Sequence, residues 1–353
     1  MRALRALVAA GAGAAALVAT GPLVILGLPF AIVAVLTRRV ARRLERPHVA
    51  WPELIAFDPT VGWKPRPCAR ADHLADDVFH AATDADGWRG TRSVTESDVV
   101  VFGDSFAWGY GIDDEDFFGN LNRDVRVKAI GINGYNMVQE LLWMERLSAE
   151  LRGKLVVWFI YLGNDLYENL APHMWGYRMP FMRGTGNRGG WEIVTSHLSP
   201  ARLPYRADGR VYYERLAELC SPSFLAERAY AACEFLLAKG RDVCARVDAR
   251  LLVMTIPDST QLTAAGTRWL LSCGGDPKSF DPDFPDKKIR DICERLGPPF
   301  VALKDHLDAS HYKERDCHWN RSGHRRVAEV LADVCRADAG RRRESAAVRR
   351  RVG

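Results

Sequence analysis

From residue 98 onward, short apolar runs alternate with longer stretches in which apolar positions recur three and four apart. The runs are 98–103, 125–130, 154–162, 250–257 and 300–304, rich in Val, Ile, Leu and Phe. Continuous apolar runs of this length predict strands buried on both faces. The stretches 136–149 and 223–246 have helical spacing. A last helix is expected to start near Ser322, with Val327, Val330, Leu331, Val334 and Cys335 on one face. Strands separated by helices predict an α/β fold with a parallel sheet covered on both faces. One connection breaks the pattern. From 166 to 222 there is no clear period, and the segment is rich in glycine and aromatics such as Trp175, Tyr177, Phe181, Trp191 and Tyr205. A connection this long reads as a lid or binding loop, or as a small subdomain packed by its own aromatics.

Before residue 98 the pattern differs. Residues 7–36 carry no charged side chain. A bilayer span needs about 20 apolar residues, and a signal peptide has an apolar region of about 7–15, so an uncleaved N-terminal transmembrane helix is expected. Gly21-Pro22 would kink or tilt it. Residues 1–46 form the anchor with its basic flanks. Residues 47–97 read as a linker and short extended lead-in, with Pro47, Pro52, Pro59, Pro65 and Pro67, then a strand and tight Asp-Gly turn between His80 and Gly90. The expected localisation is a single-pass protein of the cell membrane. Arg2 and Arg5 lie before the span and Arg38, Arg39, Arg42, Arg43 and Arg46 after it, and this distribution leaves the side of the body open.

Charge refines this picture. The 353 residues carry a net +5, but residues 1–46 contribute +6 and the basic tail 341–353 contributes +5, so the body between them is net −6. An acidic body between basic ends excludes a nucleic-acid binder, which needs a basic folded face. Basic ends beside an apolar segment suit anionic lipid headgroups, so membrane lipids are expected partners. The eight cysteines have no CxxC spacing and point to no zinc site. No metal or cofactor is implied.

Chemistry collects at the strand ends. The first run of the alternating region ends in Gly103-Asp104-Ser105, which puts a serine hydroxyl at the carboxyl edge of the sheet, where α/β folds bind ligands. Such a serine is a nucleophile if a base and oxyanion donors join it. The second run leads into Gly131-Ile132-Asn133-Gly134, where the Gly134 amide is an accessible donor. The third ends in Gly163-Asn164-Asp165, where the Asn164 amide is another. Asp316-Cys317-His318-Trp319-Asn320 precedes the last helix, and residues two apart on an extended segment share a side, so Asp316 is placed to orient His318 as base. Asp104 is expected to be a hydrogen-bonding partner within its turn, Cys317 to be buried, and His324 to lie on a helix surface.

Taken together, Ser105, Gly134, Asn164 and His318 resemble the four blocks of the SGNH (GDSL-type) hydrolase superfamily, over about residues 98–340. The resemblance implies a three-layer α/β/α sandwich (SGNH/flavodoxin-like) around the parallel sheet. It also implies Ser105 as nucleophile, His318 as base, Asp316 as orienting acid, and Ser105 N–H, Gly134 and Asn164 as the oxyanion hole. The family often has an aspartate three residues before the histidine, where this chain has Arg315. Leu162 and Ala129 stand where glycine and asparagine are common. The Asp-x-His-Trp-Asn block, FDPTVGWKPRP and DADGWRG resemble membrane-associated members. The implied function is a serine esterase acting on acyl esters, O-acetyl above all, of a glycan or lipid-linked substrate. Alternatives are an O-acyltransferase using the same triad and a non-catalytic subunit of an envelope assembly complex.

Overall fold

The computed structural model describes residues 53–74, 78–121, 124–186, 190–205 and 209–352. The expected transmembrane segment lies outside the described residues, and no helix among those described is long and apolar enough to cross a membrane. The chain divides into two units. Ala50–Pro200 and Tyr205–Gly353 form the unit described below, and Ala201–Pro204 fall in the other with Met1–Val49.

Two antiparallel hairpins come first: β1 (Ile55–Asp58) with β2 (Gly62–Pro65), and β3 (Arg70–Leu74) with β4 (Val78–Ala82). The body is a five-stranded sheet made from β5 (Val99–Gly103), β6 (Val127–Gly131), β7 (Leu155–Tyr161), β12 (Arg250–Ile256) and β13 (Phe300–Ala302). Its order is β13-β12-β7-β5-β6, and every pairing is parallel. Between β7 and β12 the chain adds two more hairpins, β8 (His173–Met174) with β9 (Tyr177–Arg178) and β10 (Phe181–Gly184) with β11 (Trp191–Val194).

Alternation along the strands sorts the two faces. Val100, Phe102, Val156, Trp158, Ile160, Leu251 and Val253 share one core with the helices Met137–Arg146, Phe224–Arg246 and Phe284–Leu296. Val99, Val101, Val157, Phe159, Leu252 and Met254 share another with Phe106, Phe118 and the final helix Arg321–Val352. Both faces are therefore covered, in three layers. One helix approaches the sheet very closely. A side chain at Gly240 would run into the Trp158 ring, so only glycine fits that position within Phe224–Arg246.

Register aligns the chemistry. Gly103 pairs with Gly131, and Ile256 with Tyr161. The segments that follow these strands therefore leave the sheet along one edge. The lead-in hairpin packs onto the same side: Leu54, Val61 and Trp63 are buried in the core. Tyr135 donates its hydroxyl to Trp63 O (2.8 Å), and Gln139 donates to Val61 O (2.7 Å).

Candidate active site

Ser105 opens a one-turn helix, Ser105–Trp108, directly after β5. Asp104 caps it, accepting from Phe106 N at 3.0 Å and from the Ser105 hydroxyl at 3.2 Å. The turn ends at Gly109 in the left-handed region (φ 74°). Arg89, fully buried, donates to the Gly109 carbonyl at 2.6 Å and to Trp108 O at 3.2 Å, and its Nε reaches Asp114 at 2.6 Å. Arg89 thus fixes the far end of the turn that presents the serine. It lies in the DADGWRG segment, which the sequence marked without assigning the arginine a role.

His318 Nε2 lies 2.7 Å from Ser105 Oγ. Its Nδ1 is hydrogen-bonded to Asp316 Oδ1, which also accepts from the His318 backbone N–H at 3.1 Å. The imidazole is flanked by the rings of Phe106 and Tyr110, with centroids 4.9 and 4.7 Å away. This serine–histidine–aspartate relay is the arrangement needed to move a proton from a serine hydroxyl.

The Asp-x-His-Trp-Asn block owes its composition to several jobs. Asp316 holds the ring. Trp319 is fully buried and packs against Phe106, Phe118 and Phe159, anchoring the loop in the core. Asn320 caps the final helix, its Oδ1 accepting from Ser322 N (2.9 Å) and Gly323 N (3.1 Å). Its amide donates to Ser310 O and Tyr312 O. The backbone closes through Lys313 N to His318 O at 2.9 Å.

Two other positions differ from expectation. Cys317 is half-buried on the cavity wall, with Sγ 3.7 Å from His318 Nδ1. The segment 314–318 bends instead of running extended, so alternation does not turn Cys317 away. His324 is 1% exposed, stacks on Phe118, and accepts from Phe118 N at 3.3 Å. Burial lowers its imidazole to about 3, so it stays neutral.

Gly134 follows β6 with φ 76°, and a Cβ there would meet Met174 Sδ at 2.5 Å and the Trp175 ring at 3.1 Å. Both the backbone conformation and the close wall require glycine. Asn164 follows β7. Its Nδ2 donates to Glu168 Oε2 at 2.9 Å, while its Oδ1 is buried without a hydrogen bond. Asn136 bridges the two blocks, donating to Glu168 O (3.1 Å) and Pro180 O (2.9 Å).

Ser105, Gly134, Asn164, Asp316 and His318 all line one cavity of about 750 Å³. Trp63 and Ile55 of the lead-in hairpin supply one part of its wall. Met174, Trp175 and Tyr177 come from the β8–β9 hairpin, and Tyr205, Val211 and Tyr212 from further along the same insertion. Tyr161, Tyr212 and Asp258 are cross-linked, with Tyr161 OH donating to Asp258 Oδ2 at 2.6 Å and Tyr212 OH at 3.0 Å.

Electrostatics divide the site. Burial disfavours the His318 imidazolium, but Cys317 and Asp316 favour it more strongly, and the ring is raised above its ordinary value. Burial also works against the Asp316 carboxylate, yet the His318 hydrogen bond and charge hold it below the usual range. Behind Ser105, burial pushes Asp104, Glu140 and Asp165 upward. Burial, with the charge of Asp104, takes Glu168 to about 8. Asp316, Cys317 and His318 also bring three metal-type ligand atoms within 4.8 Å of one another, but both imidazole nitrogens are committed to Ser105 and Asp316.

No family model and no curated protein matches the chain. Among solved structures, it is similar to a carbohydrate acetylesterase family member from Sinorhizobium meliloti at 13% identity, covering 69% of this chain and 99% of that one, with a TM-score of 0.39. It is similar to a member of the lipolytic protein G-D-S-L family from Veillonella parvula at 10% identity, covering 67% and 96%, with a TM-score of 0.38. A GDSL-like lipase from Bacteroides thetaiotaomicron aligns at 12% identity over 70% and 92%, with a TM-score of 0.37.

Proposed function

We propose that this protein is a serine esterase of the SGNH type that forms an acyl-enzyme at Ser105. The observation carrying this reading is the relay Ser105–His318–Asp316, with Ser105 Oγ 2.7 Å from His318 Nε2 at the wall of the cavity. In the first step the Ser105 oxygen bonds to the acyl carbon and its proton passes to His318 Nε2. The collapsing tetrahedral intermediate expels the alcohol, which takes that proton. Water then repeats the sequence and frees the acid. Gly134 N–H and the Asn164 amide face the developing oxyanion, with Ser105 N–H as third donor.

The substrate is an O-acyl ester, an acetyl ester above all, carried on a glycan or a lipid-linked substrate. The cavity supports this in two ways. Among the described residues that line it there is no lysine or arginine, which suits a neutral ester group. Trp175 and Tyr205, 41% and 40% exposed on its wall, offer flat faces on which sugar rings stack. Residues 7–36 would hold the enzyme at the bilayer as a single span, with membrane lipids as neighbours. Hydrolysis of an acetylated glycan by wild type and by Ser105→Ala tests the reading, with free sugars present to reveal acyl transfer. Release of acetate by wild type alone supports it, and equal release by both proteins overturns it.

A further inference from the structure

Glu168 is a carboxyl that the relay does not use, yet it lines the same cavity. It ends the short helix Asp165–Glu168 and is 5% exposed. Its side chain accepts one N–H of Asn164 at 2.9 Å, while Asn136 grips its backbone carbonyl at 3.1 Å. A primary amide carries two N–H groups. With one held by Glu168, the amide plane is set and the other N–H is left for an oxyanion. We propose that Glu168 is a positioning residue for the Asn164 donor, and that it does this work as the neutral acid. The inference rests on the esterase reading of the same site.

The surroundings explain the neutral form. Asp104 faces Glu168 from the nucleophile turn, and Asp165 and Tyr167 from its own helix. Beyond Asp165 stand Glu140 of Met137–Arg146 and Cys233 of Phe224–Arg246, and Arg215 bears on the group through Tyr167. In this buried, acidic setting the charged form is disfavoured, and the Glu168 carboxyl is pushed up to about 8. A neutral carboxyl still accepts the Asn164 N–H. A carboxylate would place a second negative charge behind the donor, opposing the charge that develops on the substrate oxygen. Ionisation of Glu168 therefore slows acylation.

The test is the pH dependence of p-nitrophenyl acetate hydrolysis by wild type, Glu168→Gln and Glu168→Leu. Leucine removes the acceptor and lowers kcat roughly 10- to 100-fold with little change in KM. Glutamine keeps an acceptor that cannot ionise, so it restores most of that loss, and the wild-type rate falls relative to that of Glu168→Gln above about pH 8. Coincident alkaline limbs for wild type and Glu168→Gln overturn the proposal, as does an unchanged kcat in Glu168→Leu. Parallel labelling of wild-type Ser105 with a fluorophosphonate separates the two failures. A labelled serine with coincident limbs sinks the role of Glu168 alone, whereas an unlabelled serine sinks the esterase reading with it.

Discussion

The two walls of the cavity are built differently. On one side, Ser105, His318 and Asp316 sit on short segments tied directly to the sheet and the final helix. Arg89 clamps the turn after the serine, and Trp319 and Asn320 pin the loop carrying the histidine. On the other side, Trp175 of the β8–β9 hairpin and Tyr205 present half-exposed rings from the insertion between β7 and β12. Trp175 even adopts a left-handed backbone (φ 49°), a strained conformation for a bulky residue. The contrast separates two tasks. Proton transfer needs groups held to a fraction of an ångström, and under the proposed function that task falls to the tightly held side. Recognition of a substrate body needs surface and shape, and under the proposed function that task falls to the inserted side.

If the rigid wall carries the chemistry, its variants must lose rate, not affinity. The largest loss is expected from Ser105→Ala, about 10⁶-fold in kcat measured with a soluble ester. Asp316→Asn comes next at about 10⁴-fold, because the His318 ring loses the partner that fixes its tautomer. Trp319→Ala tests the anchoring directly: it removes a fully buried indole and should cost about 3–5 kcal/mol of unfolding free energy in a denaturant titration. On the inserted wall, Trp175→Ala should raise KM for a glycan ester roughly tenfold while kcat for p-nitrophenyl acetate stays within a factor of about two. If Trp175→Ala lowered kcat on both substrates alike, the division of labour would not hold.

The smallest effect is a shift in pH dependence. The base must be neutral to accept the serine proton, so the acylation rate rises as pH passes through the His318 value. Cys317 and Asp316 raise that value, which places the acid limb above that of an ordinary histidine. Cys317→Ser removes the first of these influences. Its acid limb should move to lower pH, as read from a pH–rate profile.

Legibility in the sequence followed the same division. The five parallel strands and the helices Met137–Arg146, Phe224–Arg246 and Arg321–Val352 were readable because buried strands are apolar throughout and helices keep their spacing, whereas Phe284–Leu296, and Gly209–Leu219 within the stretch read as aperiodic, were not singled out. Register then carries the residues after β5, β6 and β7 to one edge, so Ser105, Gly134 and Asn164 could be picked out by position alone. Glu168 could not, and Arg89 and Trp63 were visible only as members of DADGWRG and FDPTVGWKPRP, since the role of each is set by hydrogen bonds or packing across segments distant in sequence. The lead-in reads as a linker with one strand and an Asp-Gly turn, because its prolines mask the hairpins β1–β2 and β3–β4. His324 carried a readable signal that points inward: it lies three, four and seven residues before Val327, Ala328 and Leu331, on the buried face of the final helix.

The central claim is that Ser105 is the acylated nucleophile, activated by His318. Its most direct test is fluorophosphonate labelling followed by mass-spectrometric mapping of the modified peptide. The account predicts one adduct, on Ser105, that is lost in Ser105→Ala and strongly slowed in His318→Ala. An adduct on another residue, Cys317 included, or no adduct while a control esterase labels, would contradict it.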